Sequence, residues 1–582
     1  MPIAVKIADV NMFRTCEQCG YCSSACPVSG VNGFNIRRIL RHAELDILDE
    51  LAATPLPWTC TTCGRCEGVC PNGIAILDII RPLRSLSPSE FVPDGPPCTL
   101  ACPAGIDVPG YVRLIAQGKP EAAYALILSK VPFPGILGRV CTHPCETSCR
   151  RREVNQPIAI CALKRFAADK GGQTPASWLT ISPDTGRRVA VIGAGPAGLT
   201  AAFYLRRKGH RVSLFEEKPK PGGMMRYGIP AYRLPEDILE NEINRVLSAG
   251  IELKTNHALG RDFTLGQLQT DGFEAVFLSL GLSSSRKIEL EGVGLDGVLW
   301  GVDFLKAVKE GQAPDLKEKV MVIGGGNVAV DVALTALRLG AKEVTLACLE
   351  KREEMPANPR EIEMALEEGV KIMAAWGPHK ILGDTGQVTG IELIQCTSVF
   401  DAQGYFCPRF GEAGESLPMD QVILAVGQTT DLSFVPGDLP LGMEKGLIVS
   451  DPEILQTNLS GVFAGGDIVK GPGTIIEAIA SGRKAASSID QFLGGDGHIE
   501  ESFTWNQEPL DYSGKREQGF ADQPREETPV LPVSERTPGF PEVDLPFTDE
   551  QALKEAARCL QCDLEIRLAL AGSQSSTTSR EI

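Results

Sequence analysis

Two cysteine runs of one design carry the first chemistry in this chain. "CEQCGYCSSACP" sets Cys16, Cys19, Cys22 and Cys26 at the spacing C-x2-C-x2-C-x3-C-P, and "CTTCGRCEGVCP" repeats it with Cys60, Cys63, Cys66 and Cys70. Three thiolates this close wrap three irons of a cubane, while the fourth, turned away by the proline, reaches the neighbouring cluster. The expectation is one [4Fe-4S] cluster on Cys16, Cys19, Cys22 and Cys70 and another on Cys60, Cys63, Cys66 and Cys26. The competing ligand is structural zinc, which takes paired C-x2-C knuckles around one tetrahedral ion and has no use for a third cysteine two residues on.

A second kind of chemistry follows in "RRVAVIGAGPAGLTAAFYLRRKGHRVSLFEE". It predicts strand, the turn Gly193-Ala194-Gly195-Pro196-Ala197-Gly198, helix, and a second strand closed by Glu216. Small residues let the backbone approach a pyrophosphate at the helix N-terminus, and the carboxylate accepts from ribose hydroxyls. "KVMVIGGGNVAVDVALTALRLGAKEVTLACLE" repeats the pattern with Gly324, Gly326 and Ala329. Two such units suggest one for FAD and one for a nicotinamide, face to face so that hydride can pass. In "GVFAGGDIVKGPGTIIEAIASGRKAA" a strand ends at Gly466 and Asp467 and a helix begins at Thr474 and Ile475, which would set Asp467 against the flavin's ribityl or phosphate region.

These motifs need several domains to hold them, and 582 residues exceed one core. The expected class is multi-domain α/β, with helical iron-sulfur domains followed by two Rossmann-like doubly wound domains. Residues 1–90 form a helical di-cluster, ferredoxin-like domain and 91–185 a second helical iron-sulfur domain. Residues 186–304 with 431–494 form the FAD domain and 305–430 the NAD(P) domain. An extended, Pro-, Glu-, Asp- and Ser-rich linker covers 495–546, a returning segment 547–570, and a disordered tail 571–582. A net charge of −17 opposes nucleic acid or anionic membrane as a partner. No apolar stretch reaches the ~20 residues of a membrane helix, and no export signal is visible, so the cytoplasm is the expected compartment. Clustering of the nineteen cysteines favours metal ligation over disulfides.

From about Phe91 to Gly494 the chain resembles a family that contains the small subunit of glutamate synthase, the large subunit of NADH-dependent ferredoxin:NADP oxidoreductase and the N-terminal half of dihydropyrimidine dehydrogenase. The matching words are "GRVC", "GAGPAG", "GGMMRYGIPAYRLP", "GGGNVAVDVA", "REEMPA" and "AGGD". Residues 1–90 resemble instead the small iron-sulfur subunit of heterodisulfide reductases. The resemblance implies FAD along Gly193 to Gly198, Glu216, Gly222, Gly223, Arg233, Gly466, Asp467, Thr474 and Ile475. It implies a nicotinamide dinucleotide along Gly324, Gly326, Asn327, Val328 and Ala425, Val426 and Gly427. Met224 and Tyr227 would fall near the flavin without a catalytic role. NADPH-using relatives read "YRR" after the second strand of the nicotinamide unit; here Cys348, Leu349 and Glu350 stand there. A carboxylate repels a 2′-phosphate and accepts from a free 2′-hydroxyl, so NAD(H) is favoured over NADP(H). Lys351 and Arg352 could still bind phosphate, and Glu350 could simply face solvent.

Family members carry a run like "EAxRCLxC…C…CP" before their flavin domain. This chain has only its second half there, "PPCTLACP" with Cys98 and Cys102, then "GRVCTHPCETSC" with Cys141, Cys145 and Cys149; the first half stands near the other end as "EAARCLQC". A permuted motif is inferred, with Cys559 and Cys562 folded back beside Cys98. By the family's pairing, Cys559, Cys562, Cys98 and Cys149 would hold a third cluster and Cys102, Cys141 and Cys145 three corners of a fourth. Relatives complete the fourth with Gln or Glu; here Lys164 stands there, and Cys161, three residues earlier on the same helical face, is the substitute. The competing account of Cys559 and Cys562 is a separate zinc site or a free redox pair. Cys348, Cys396 and Cys407 are left as ordinary thiols, and His143 is expected to hydrogen-bond and not to ligate.

The function this implies is an FAD-dependent oxidoreductase subunit that exchanges hydride with NAD(H) and relays single electrons through four [4Fe-4S] clusters, with no side chain acting as acid or base. The expected partner is another redox subunit: a hydrogenase, formate dehydrogenase, heterodisulfide-reductase-like or tungsten-enzyme partner. The alternatives are a glutamate-synthase-like NADPH donor, a flavin-based electron-bifurcating subunit, and a non-catalytic relay hub with a vestigial nicotinamide site.

Overall fold

The computed structural model describes residues 13–172, 180–430, 432, 441–499 and 512–578. Residues 500–511 of the expected linker and 579–582 of the expected tail lie outside them. Local sequence explains the first helical module. The helix Ile36–Glu44 is capped by Asn35, whose side chain accepts from the Arg38 N–H, and buries Ile36, Ile39, Leu40 and Ala43. That i, i+3, i+4, i+7 face packs with Phe13, Phe34 and Leu77, Ile80 and Leu83 of the helix Leu77–Ser85. In the next module the helices Val108–Ala116, Pro120–Leu128 and Pro134–Val140 each carry proline in the first turn, where its missing N–H costs nothing. A fourth helix, Ile160–Lys170, lies so close to Pro134–Val140 that a Cβ on Gly138 would stand 2.6 Å from the Arg165 Cα.

Two five-stranded parallel sheets follow. The first has the order Val462–Ala464, Ala275–Leu278, Arg188–Ile192, Arg211–Glu216, Glu252–Thr255. Its central strands Arg188–Ile192 and Ala275–Leu278 are buried on both faces, as a sheet covered by helices on both sides requires, while the edge strand Glu252–Thr255 is partly exposed. The second has the order Val298–Trp300, Gln421–Leu424, Lys319–Ile323, Glu343–Cys348, Lys371–Ala374. The strand Val298–Trp300 and the helix Gly301–Lys309 thus belong to the second unit, so the expected boundary at 304/305 falls too late. Ser284–Ser285 pairs with Gln428–Thr429 where the chain passes between the units. βαβ alternation did not foretell the antiparallel sheet Trp376–Asp384, Gln387–Phe400, Phe406–Leu417, whose alternating burial marks one covered and one wet face.

Residues 512–546, expected as a linker, are extended but tightly packed. Phe520, Ala521, Arg536 and Val543 are buried. The segment pairs Asp522 with Arg65 of the first module, Arg525 with Glu146 of the second and Arg536 with Glu367 of the nicotinamide-type unit, at 2.8, 2.8 and 2.6 Å. Two helices follow, Asp549–Ala557, opened by a Thr548/Gln551 capping box, and Cys562–Thr578. The helix Cys562–Thr578 runs into the stretch expected as a disordered tail, and Leu564, Glu565 and Ala569 are buried on its earlier turns. No helix among the described residues is long and apolar enough to cross a membrane.

Candidate functional site

The first glycine turn is dictated by space. Gly193 has φ +98°, and a Cβ on it would stand 2.5 Å from the Ser279 carbonyl oxygen; one on Gly198 would stand 1.9 Å from the Gly193 oxygen. Glu216 is buried and accepts from the N–H groups of Ala194 and Lys218, both at 2.9 Å, while burial pushes its carboxyl above the ordinary range. Beside it opens a cavity of about 410 Å³ lined by Gly193, Gly195, Pro196, Ala197, Glu216 and Gly223 on one side and Gly466, Asp467, Thr474 and Ile475 on the other. Met224 and Tyr227 also line it. Ala194, Gly198 and Gly222 shape the turn from behind, the Gly222 N–H donating to the Ala194 oxygen. Gly223, at φ +52°, lies so near Gly195 that a Cβ would meet the Gly195 Cα at 2.8 Å.

Two helix N-termini, of Pro196–Arg207 and of Ile475–Phe492, therefore meet the same cavity, the second opened by a Thr474/Glu477 capping box. Burial pushes Asp467 up to about 6 against the Gly473 N–H that stabilises its charge. A glycine cradle, a carboxylate at the end of the second strand and two helix N-termini fit a dinucleotide with a pyrophosphate. Arg233 does not line this cavity. It donates to Asp331 at 2.7 Å and Glu361 at 2.6 Å, and with the Tyr232 hydroxyl on Asp331 at 3.0 Å it ties the first unit to the second.

The second turn repeats the first. Gly324 has φ +141°, and a Cβ there would meet the Ala425 oxygen at 2.4 Å; Gly427, at φ +121°, accepts from the Arg286 N–H. Gly326 precedes the helix Asn327–Arg338, with Val328 half-buried in its first turn, and Asn327 accepts from the Asn358 N–H at 2.8 Å. The Glu350 carboxylate lies over Gly325, where a Cβ would stand 2.6 Å from its Oε2. It thus faces the residue after the first glycine of its turn, as Glu216 faces Ala194. Ala425 and Val426 follow the strand Gln421–Leu424. Arg352 and Lys351 are exposed.

The structure gathers the cysteines into four groups. Cys16, Cys19, Cys22 and Cys70 line one small cavity with Arg37. Cys26 lies within electrostatic reach of Cys60 and Cys63, and Cys66 of all three. Cys98 neighbours Cys559, Cys562 and Cys149. Cys141, Cys161, Cys145 and Cys102 surround Lys164. The close helix contact at Gly138 brings the Cys161 Sγ to 3.4 Å from the carbonyls of Leu137 and Gly138. The C-x-x-C loops share one hook. Gln18, Thr62 and Gln561, the residues before the second cysteine, have φ of 55°, 55° and 57°. The N–H groups of Thr62 and Gln561 point at Cys60 and Cys559 Sγ, at 3.3 and 3.5 Å, and His143 makes the same contact to Cys141 at 3.4 Å through its backbone N–H. The far C-terminal loop therefore has the geometry of the N-terminal ones.

The donor sets suit a cationic cluster. Burial pushes the thiols up, Cys26 and Cys562 to about 11 and Cys559 to about 12, so a cation is what would bring them to thiolate. Among the described residues no three His, Cys, Asp or Glu side chains form a site for a single metal ion. Burial works against the Lys164 ammonium, but the four sulfurs around it more than offset this and hold its pKa above the ordinary value. Cys348 and Cys396 are buried and Cys407 exposed, apart from these groups. Sequence reasoning missed Tyr111, buried between the third and fourth groups, and the arginines Arg84, Arg150 and Arg151 around the second and third. The basic run after Cys149 was the one available signal.

Doubly wound units with two glycine turns define a dinucleotide-dependent oxidoreductase, here joined to cysteine-rich helical modules. Residues 187–482 match the profile of pyridine nucleotide-disulphide oxidoreductases, 94–175 that of dihydropyrimidine dehydrogenase domain II with its 4Fe-4S cluster, and 12–74 a 4Fe-4S dicluster domain. The chain belongs to the pyridine nucleotide-disulphide oxidoreductase family, in the branch that carries these iron-sulfur modules. It is 38% identical to the NADP(+)-dependent formate dehydrogenase subunit beta of Moorella thermoacetica, over 82% of this chain and 72% of that one. It is 35% identical to the NADPH-Fe(3+) oxidoreductase subunit beta of Geobacter sulfurreducens, over 80% and 75%. It is 34% identical to the NAD-dependent dihydropyrimidine dehydrogenase subunit PreT of Escherichia coli, over 69% and 91%.

Proposed function

We propose that this chain is the nicotinamide-oxidising or nicotinamide-reducing subunit of a larger redox complex, with FAD in the cavity at Glu216 and Asp467 and [4Fe-4S] clusters on the four cysteine groups. The observation that carries the proposal is the meeting of Cys559 and Cys562 with Cys98 and Cys149, in the same hooked loop as the N-terminal motifs. FAD supplies the exchange between two-electron hydride transfer and single-electron transfer. The chain's own residues bind and orient. Gly193, Gly195 and the helix N-terminus behind them take the pyrophosphate, Glu216 the ribose, and Asp467 the ribityl region. Arg233, locked to Asp331 and Glu361, ties the two units that would hold the flavin and the nicotinamide. No side chain is asked to move a proton.

The nicotinamide is NAD(H). Glu350 stands over the second turn as Glu216 does over the first, an acceptor for a ribose hydroxyl and a repeller of a 2′-phosphate. Relatives named for NADP(H) and for NAD both occur, so the carboxylate is what favours this choice. A formate dehydrogenase catalytic subunit is the favoured partner, on the strength of the 38% identical relative. The test is anaerobic mixing of the isolated chain with NADH or NADPH while flavin absorbance is followed. Faster bleaching by NADH, with about sixteen irons per chain for four cubanes, is expected. Bleaching by NADPH alone removes the role of Glu350, and bleaching by neither leaves a relay hub in place of an enzyme.

A further inference from the structure

Between the second and third cysteine groups lies a layer of arginines, and one of them touches both loops. Arg516, on the segment expected to be a linker, is 7% exposed. Its Nε donates to the Thr62 carbonyl at 3.0 Å and its Nη2 to the Leu560 carbonyl at 2.7 Å. Thr62 is joined by its peptide bond to Cys63. The Leu560 carbonyl belongs to the peptide whose N–H, on Gln561, points at Cys559 Sγ at 3.5 Å. Two amides and one guanidinium thus form an unbroken path of covalent and hydrogen bonds from one group of thiols to the other. The contact is built in: Gly64, at φ +77°, leaves space where a Cβ would stand 3.0 Å from the Arg516 Cβ. The Phe520 ring backs the guanidinium at 4.6 Å. Arg84 also spans the gap, from the second loop to the Glu565 carboxylate of the C-terminal helix at 3.4 Å, but it and Arg151 each reach the backbone of one loop only. Arg84 donates to the Cys60 carbonyl, and Arg151 to the carbonyls of Arg558 and Phe520.

We propose that Arg516 is the electronic bridge between the second and third cysteine sites. This rests on the reading that both sites hold clusters. Tunnelling through a hydrogen-bonded path decays more slowly than through an open gap, so one guanidinium spanning both loops shortens the effective distance. One electron leaves the third site and one arrives at the second. No bond forms or breaks and no proton moves.

The test uses full-length, anaerobically prepared holoprotein, with Arg516→Leu, Arg516→Lys and, as a control, Arg65→Leu, which cuts the neighbouring ion pair to Asp522 without touching the path. Iron content and the rate of flavin bleaching are expected to match the parent in all three. Rapid-freeze EPR after mixing with NADH is expected to show the N-terminal sites reduced about tenfold or more slowly in both Arg516 variants, since lysine reaches only one carbonyl, and at the parent rate in Arg65→Leu. Spin–spin broadening between the reduced second and third sites should persist in Arg516→Leu. Unchanged rates in the Arg516 variants overturn the bridge. Equal slowing in Arg65→Leu, or loss of the broadening, makes Arg516 a docking residue and also overturns it. Parent protein lacking the iron of the third site brings down the underlying reading, and the bridge with it.

Discussion

The first two cysteine groups are closed by exchange between adjacent motifs, Cys70 going back to Cys16, Cys19 and Cys22, and Cys26 forward to Cys60, Cys63 and Cys66. The third is closed from the far end of the described chain, by Cys559 and Cys562. The loops are alike in their backbone hooks, so the difference lies in what brings them together. In the N-terminal module one small apolar core does it. At the third group the work falls to buried ions: Glu565 pairs with Arg81 at 3.0 Å and Arg84 at 3.4 Å, Asp563 with Arg113 at 3.0 Å, and Arg558 with Glu555 at 2.6 Å. Charged contacts need a single register, which is what a loop delivered over a long chain must find.

The largest effect that would sharpen this contrast is expected from Cys562→Ser. About four irons per chain should be lost while flavin is retained, measured by iron assay against flavin absorbance. The same change at Cys70 should take iron from the N-terminal module alone. Next, Glu565→Gln leaves Arg84 buried beside a neutral partner and is expected to cost about 3–5 kcal/mol, read as a lowered melting temperature of the holoprotein. This pair also carries a pH signature. Burial opposes the Glu565 charge, but Arg81 and Arg84 prevail and hold its carboxyl below the usual range. A depressed carboxylate contributes its stability above the unfolded value of 4.5 and loses it as pH falls through the lower folded value. Acid titration of the parent should show release of the C-terminal helix only in that lower window, and Glu565→Gln should abolish that step. The smallest effect belongs to the fourth group. Lys164→Met removes a buried cation beside four sulfurs and is expected to shift the oxidised-to-reduced ratio there about tenfold, ~59 mV more negative in EPR-monitored titration, with iron content unchanged.

How much of this could be read in advance follows the same division. Spacing alone placed Cys70 with the first trio and Cys26 with the second, and glycine turns placed Glu216 and Asp467 at one cavity, because local geometry determines both. Cys161 was accessible through helical periodicity, although the close approach at Gly138 that seats it was not. Arg233, expected as a flavin contact, lies outside the cavity's lining: its partners, Asp331 and Glu361, are far along the chain, and no local pattern marks an inter-unit clamp. The antiparallel sheet from Trp376 to Leu417 was lost in a stretch read as continuing βαβ alternation. Residues 512–546 gave no periodicity because they fold against three other modules and not on themselves, which hid Arg516 entirely.

The closure of the third group from a distance also imposes a timetable on manufacture. Cys98 and Cys149 emerge early from the ribosome and hold half a donor set until Cys559 and Cys562 have been made. On the reading proposed above, iron could enter the N-terminal sites as soon as Cys70 has been made, whereas the third donor set stays incomplete until Cys559 and Cys562 have been translated and have folded back.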